Sequence, residues 1–308
     1  MIIDANVGLG RFASGIGADF AQPEATLRYL KTTGIGKALV YSTLAREADA
    51  EEGNRIVLEA CEKHPEYIPS WVISPYETDI DASLACMRAH HIRVARLFPE
   101  LGHFSVYPSC LGPIVDRLQR ANKVLFIDFD AKSWASHAID YDGIYQLCQA
   151  YPKIPVVLVG STITGSRNYP NIIQKCRNLY LEISQMFQPE GVFRLVKQGF
   201  GRRLIFGSGF PVRAPGAMLN MLAYSGISQR ELADICCNNV LTLLDGTRRN
   251  EHVELAKPQK RMIIDLHVHQ GKLHPVPSGT ETAVGIIRNM DRCGIHAAIV
   301  TSLWACYG

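Results

Sequence analysis

Two histidines two residues apart are the side chains here best suited to chemistry. They are His267 and His269, in Met262-Ile263-Ile264-Asp265-Leu266-His267-Val268-His269-Gln270-Gly271. On a strand, residues i and i+2 project from one face, so both imidazoles can reach a single zinc or similar divalent ion. The opening of the chain, Met1-Ile2-Ile3-Asp4-Ala5-Asn6-Val7-Gly8-Leu9-Gly10, repeats this stretch, with Met, Ile, Ile, Asp, Val and Gly in register. Asn6 stands in place of His267 and Gly8 in place of His269. One copy of the element carries a pair of candidate metal ligands; the other has none at the same positions.

The elements that must position such residues alternate along the chain. Apolar or β-branched runs at Met1 to Asp4, Ala38 to Ser42, Pro69 to Ser74 and Arg93 to Leu97 read as strands. So do Val124 to Asp128, Pro155 to Val159, Leu179 to Ile183 and Arg203 to Phe206. Helical segments separate them, among them Pro23–Thr33, Ala50–Lys63, Ile80–Ala89, Leu111–Ala121, Tyr141–Tyr151, Pro189–Gln198 and Ala214–Ala223. Such alternation predicts parallel β/α units, and their number predicts a closed (β/α)8 TIM barrel. An open doubly wound sheet is the alternative, but no Gly-rich dinucleotide fingerprint follows the first strand. Two short amphipathic turns, Ser228–Ala233 and Cys236–Leu244, would close the barrel.

The pattern then restarts. Residues 1–245 make the first barrel, and 246–261, polar and containing Pro258, read as a linker. In 262–308, Gly294-Ile295-His296-Ala297-Ala298-Ile299-Val300-Thr301-Ser302 matches Gly34-Ile35-Gly36-Lys37-Ala38-Leu39-Val40-Tyr41-Ser42. The second stretch is therefore an incomplete β-α-β start of a second barrel. A β-α-β piece cannot bury its own faces, so the expectation is either a truncated sequence or an appendage that docks on the barrel or swaps into a partner chain.

Charge and composition narrow the function classes. With 32 basic and 29 acidic residues among 308, and no block of like charge, nothing favours nucleic acid or an anionic membrane. No apolar run approaches the roughly 20 residues of a membrane span, and no signal-peptide pattern opens the sequence. Nine cysteines without CxxC spacing read as reduced thiols of a cytoplasmic protein, not as a structural zinc site.

These segments together resemble the amidohydrolase superfamily, in the branch related to aminocarboxymuconate semialdehyde decarboxylase and its hydrolytic relatives. MIIDLHVHQG resembles the first-strand Asp-x-His-x-His metal motif. Leu204-Ile205-Phe206-Gly207-Ser208-Gly209-Phe210-Pro211 resembles the eighth-strand Phe-Gly-Ser-Asp-Phe-Pro, Arg93-Val94-Ala95-Arg96-Leu97 the fourth-strand segment, and Asn239 with Leu243-Leu244 the closing helix. The resemblance implies a divalent ion that activates water, for amide, ester or lactone hydrolysis or for non-oxidative decarboxylation. Carried onto 1–245, the ligand set fails. Asn6 and Gly8 replace the first pair, and Gly160 stands at a middle-strand histidine. Asp128 lies where another ligand or supporting histidine is common, and Gly209 replaces the eighth-strand Asp. The resemblance thus implies a metal-free pseudoenzyme or structural partner in 1–245, with zinc reserved for a completed second barrel. Family members pair through barrel surfaces, so a homo-oligomer or intramolecular barrel pairing is implied.

Function on this fold sits at the C-terminal ends of the strands. That rim would show Asn6, Ser42, Thr43, Ser74, Arg96, Asp128, Asp130, Ser161, Glu182, Ser184 and Ser208. Two readings stay open. In one, Arg96 holds a small carboxylate and Glu182 or Asp128 accepts a proton, making the first barrel a small-acid binder or a metal-independent catalyst. In the other, these charges form an ion-paired network filling the space the metal has left. Loop residues His103 and His137, and the aromatics Phe104, Tyr107 and Trp134, lie on the same side. His64, His90 and His91 fall at helix C-termini, where a cation suits the helix dipole. His274 is a loop outsider to the His267–His269 pair. No G-x-S-x-G follows a strand, so Ser-His-Asp catalysis has no anchor.

Overall fold

The computed structural model describes residues 1–129, 139–161, 169–187, 189–255, 262–271 and 282–302. The chain divides into two compact units, Met1–Leu255 and Ala256–Gly308.

In the first unit eight parallel strands follow one another in sequence order around a barrel. They are β1 (Ile2–Leu9), β2 (Ile35–Ser42), β3 (Tyr67–Val72), β4 (Val94–Leu97), β5 (Val124–Asp128), β6 (Val156–Val159), β7 (Leu179–Glu182) and β8 (Leu204–Ile205). The strands are largely buried on both faces because helices cover the outside while side chains fill the inside. β5 and β6, for example, are buried at every position. The seam between β8 and β1 is bridged by backbone bonds: Ala5 N–H to Phe206 O at 3.0 Å, Gly8 N–H to Phe210 O at 2.7 Å, and Gly209 N–H to Asn6 O at 3.0 Å.

The crossover helices include α1 (Pro23–Thr32), α2 (Thr43–Glu47), α3 (Ala50–Lys63), α4 (Ile80–Ala89), α5 (Pro108–Arg120) and α6 (Tyr141–Ala150). α7 (Tyr169–Lys175), α8 (Pro189–Lys197), α9 (Pro215–Ala223), α10 (Gln229–Ala233) and α11 (Asn239–Asp245) follow. Their starts are written locally. Asp49 and Asp79 accept backbone N–H groups at the first turns of α3 and α4, and Ser228 with Glu231 forms a capping box on α10. Asn239 fastens the last helix to the last strand, its Nδ2 donating to Gly201 O at 2.9 Å and Leu204 O at 2.7 Å.

Several boundaries differ from the expected ones: β2 begins at Ile35 rather than Ala38, β3 spans Tyr67–Val72 rather than Pro69 to Ser74, and α5 begins at Pro108 rather than Leu111. β1 runs on to Leu9, past Asp4, because its later residues pair with Val40, Tyr41 and Ser42 on β2. Residues 246–255, read as linker, lie with the barrel. Val253 is buried, Glu251 N–H donates to Asn238 Oδ1 at 2.9 Å, and the N-terminal ammonium of Met1 donates to His252 O at 3.1 Å. Among the described residues no helix is long and apolar enough to cross a membrane, and the described cysteines are free thiols.

The second unit holds β9 (Ile264–Gln270), α12 (Ala283–Cys293) and β10 (Ala297–Ser302), with the two strands parallel. Their register reproduces that of β1 and β2. Ile264, Asp265, Val268, His269 and Gln270 face Ala297, Ala298, Val300, Thr301 and Ser302, as Ile3, Asp4, Val7, Gly8 and Leu9 face Lys37, Ala38, Val40, Tyr41 and Ser42. Both pairs slip at the same step, between Asp4 and Val7 and between Ala298 and Val300. The two β-α-β segments thus share one strand register. Their burial is not shared: Ile3 and Val40 are 0% exposed, while their counterparts Ile264 and Val300 are 46% and 42% exposed. No second barrel is formed by the described residues; they add a two-stranded sheet.

Candidate functional site

The C-terminal ends of β1, β4, β5 and β7 bring Asn6, Arg96, Asp128 and Glu182 into one hydrogen-bonded chain. Arg96 is the hub. Its Nη1 donates to Asn6 Oδ1 at 2.8 Å and to Asp128 Oδ2 at 3.0 Å, and its Nη2 donates to Ala5 O at 2.9 Å. The side chain is fully buried. Its guanidinium lies between two rings, 4.6 Å from the Tyr41 centroid and 5.0 Å from that of Phe126. A guanidinium suits such a place, since its edge donates while its weakly hydrated faces stack on aromatics.

The second half of the network is acidic. Asn6 Nδ2 donates to Glu182 Oε2 at 3.3 Å and to Ser184 Oγ at 3.4 Å. Glu182 also accepts from Ser184 N–H at 2.6 Å and from Ser184 Oγ at 2.7 Å. Burial pushes the Glu182 carboxyl up to about 8; the Ser184 donors oppose this, and the nearby Asp128 and Asp4 charges add to it. Asp4, on β1, accepts from Asn6 N–H at 3.0 Å and Ser208 N–H at 2.9 Å through Oδ1, while its Oδ2 is buried without a hydrogen bond. Burial raises this carboxyl to about 6, against the pull of Ser208, Asn6 and Arg96.

Asn6, Arg96, Asp128, Glu182, Ser184 and Ser208 thus come together as the rim expectation placed them. Asp4 and Tyr41 join them without having been singled out as site residues. Asp4 had a signal, its retention in both copies of the repeat; Tyr41 is apolar in pattern and gave none. Other rim residues serve their own loops. Ser42 caps α2, accepting from Leu44 N–H at 3.1 Å and Ala45 N–H at 3.4 Å. Thr43 Oγ1 donates to Leu9 O at 3.2 Å or Arg11 O at 3.1 Å, and the Ser74 amide donates to Thr78 Oγ1 at 3.0 Å. Ser161 is buried with no hydrogen bond to its hydroxyl. His103 sits in a turn after β4 at φ 51°, and the Phe104 ring packs edge-on against Tyr76. His64 caps α3 and meets Glu24 at 3.2 Å, and His90 caps α4. Asp130, Trp134, His137 and His274 lie outside the described residues.

A divalent ion at this mouth would need three or four ligands, and the residues present do not fit one. Asn6 spends its carboxamide on Arg96 and Glu182. At Gly8 a Cβ would meet the Tyr41 hydroxyl at 3.3 Å, so the Tyr41 ring fills the room a longer side chain would use. Gly160 adopts φ +98°, and a Cβ there would run into the Phe129 carbonyl oxygen. Gly209, at φ +73°, likewise has a left-handed backbone that disfavours an L side chain. Among the described residues, no group of three or more His, Cys, Asp or Glu side chains is placed to hold a metal. The carboxylate-binding reading meets a different obstacle: Arg96 is fully buried and both Nη atoms already donate inside the protein, which leaves a buried Nε–H and the second Nη2–H unused.

In the second unit His267 and His269 stand side by side on β9, their Nε2 atoms 3.0 Å apart. His269 Nδ1 meets Thr301 Oγ1 at 2.8 Å, and that hydroxyl also donates to Val268 O at 3.2 Å. A hydroxyl has one proton, so when it goes to Val268 the hydroxyl accepts from His269 Nδ1–H, and the His269 Nε2 lone pair then faces His267 Nε2 as its hydrogen-bond acceptor. The His267 amide donates to Asp265 Oδ1 at 3.0 Å, the bond Asn6 makes to Asp4.

Comparison with known proteins agrees with the barrel fold. The family model described as Amidohydrolase matches residues 14–245. Among solved structures, 2,6-dihydroxybenzoate decarboxylase from Rhizobium superposes with a TM-score of 0.61 at 10% identity, over 79% of this chain and 98% of that one. A dihydroxybenzoic acid decarboxylase from Polaromonas sp. JS666, solved with bound manganese and the inhibitor 2-nitroresorcinol, gives 0.61 at 12% identity over 80% and 98%. The 5-carboxyvanillate decarboxylase of Sphingomonas paucimobilis gives 0.57 at 11% identity over 79% and 98%. At these identities the likeness is one of fold. No curated protein matches the sequence.

Proposed function

The chain belongs to the amidohydrolase family, and from that premise we propose that its first barrel is a metal-free pseudoenzyme serving as a structural partner. Residues 262–308 are, in this reading, the opening of a second barrel whose metal site begins with His267 and His269. The observation that carries it is the paired register: the same β-α-β unit occurs twice, with Asn6 and Gly8 in one copy and two imidazoles in the other. A catalytic metal site needs more than two protein ligands, so the pair alone binds an ion weakly. The reaction class the second site would serve is hydrolysis of an amide, ester or lactone, or non-oxidative decarboxylation of an aromatic or unsaturated acid. The aromatic-acid decarboxylases among the similar folds support the latter. The first barrel would contribute a surface for pairing, to another barrel of the same chain or to a second copy.

An activity assay tests the silent role. Full-length chain supplied with zinc or manganese and 2,6-dihydroxybenzoate should show no turnover that depends on Asp128 or Glu182. Turnover abolished by Asp128→Asn or Glu182→Gln would make the first barrel a catalyst and end this reading.

A further inference from the structure

We infer that the Arg96 guanidinium is the resident cation of the first barrel, a built-in replacement for a bound ion that holds the mouth together. The internal repeat carries the inference. At the two positions where the second unit has His267 and His269, the first has Asn6 and Gly8, and both changes serve Arg96. Asn6 offers an oxygen where an imidazole would offer a lone pair or a competing N–H, and Arg96 Nη1 donates to it at 2.8 Å. Gly8 leaves room for Tyr41, its partner on β2, and the Tyr41 ring lies 4.6 Å from the guanidinium carbon. In the second unit the residue facing His269 is Thr301, too small to cover a guanidinium. Asp128 supplies the anionic contact at 3.0 Å and Ala5 a carbonyl at 2.9 Å.

Three strands and one main-chain oxygen thus converge on a single cation, in the manner of ligands around an ion, but with the planar fork of an arginine setting the angles. The two ligand losses and the two cation-holding residues form one co-adapted set. Returning a histidine to position 6 or 8 alone would meet Arg96 or Tyr41 in its way.

The test uses the full chain and a small cation in solution. Arg96→Ala removes the cation that Asn6, Asp128 and the Ala5 carbonyl share, which should lower the melting temperature by about 10 °C. Millimolar methylguanidinium should recover part of that loss, whereas methylammonium or zinc at equal concentration should not. In the unmodified chain, nitrogen-edited NMR should show the Arg96 Nη protons as separate, slowly exchanging signals that do not move on adding zinc. If Arg96→Ala does not fold, these signals decide alone. An Arg96→Ala protein as stable as the parent, recovery by zinc equal to that by methylguanidinium, or rapidly averaged Arg96 signals would each overturn the inference.

Discussion

Asn6 reaches Glu182 across the barrel seam, its carboxamide N–H donating to Oε2 at 3.3 Å while its oxygen accepts from Arg96. That single amide joins the cationic half of the mouth to the acidic half. Glu182 is buried with its carboxyl raised to about 8, and Asp4 with its own raised to about 6, both chiefly by burial. The charged groups around them are Arg96 on β4 and Asp128 on β5. A carboxyl raised on folding binds more protons in the native state, so its contribution is full below the unfolded value and is lost as pH rises through the folded one. Urea midpoints of the wild type should therefore fall between pH 5 and pH 9. Glu182→Gln should flatten the upper part of that fall and leave the part due to Asp4. An unchanged slope in Glu182→Gln would show that Glu182 ionises freely.

Asn239 explains in physical terms why an asparagine closes this fold. Its two N–H donors satisfy the Gly201 and Leu204 carbonyls just before and within β8. Asn239→Ala leaves both carbonyls short of a donor, at a cost of about 2 kcal/mol. Denaturation should show a lower midpoint with the m-value unchanged. A loss below roughly 0.5 kcal/mol would mean that solvent replaces the amide, as at an ordinary surface site.

Gly160 holds a backbone conformation that leaves no room for a side chain. Gly160→Ala places a Cβ against the Phe129 carbonyl in a left-handed conformation, and should destabilise the chain by about 2 kcal/mol or more. The triple change Asn6→His, Gly8→His and Gly160→His should accordingly bind no stoichiometric zinc and should fold less well. Tight zinc binding by that variant, seen in titration calorimetry, would mean the mouth retains a latent metal site.

The strands, their parallel order and the rim charges were legible because each depends on local pattern. Short apolar runs carry Arg96, Asp128 and Glu182 at or next to their C-terminal ends, and the fold sends strand ends to one rim. What the pattern could not provide was the partner of each charge. Whether Arg96 faces a ligand or Asn6 and Asp128 depends on register between strands far apart in sequence, and both readings were compatible with the residues alone. Tyr41 was invisible for the same reason, since an aromatic on a buried strand reads as core until the guanidinium beside it is placed. The docking of 246–255 was hidden because a polar segment is anchored there by only a few contacts, Val253 and the Asn238–Glu251 pair. The register shared by β1–β2 and β9–β10 was legible in part, since the two stretches hold several residues in common.

The most direct measurement is the metal content of the full chain after zinc loading and desalting, compared across two sets of variants. Any retained zinc should vanish in His267→Ala with His269→Ala and be unaffected by Asp128→Asn or Glu182→Gln. Zinc that survives loss of both histidines but disappears with Asp128 or Glu182 would place the metal in the first barrel and contradict its reading as metal-free.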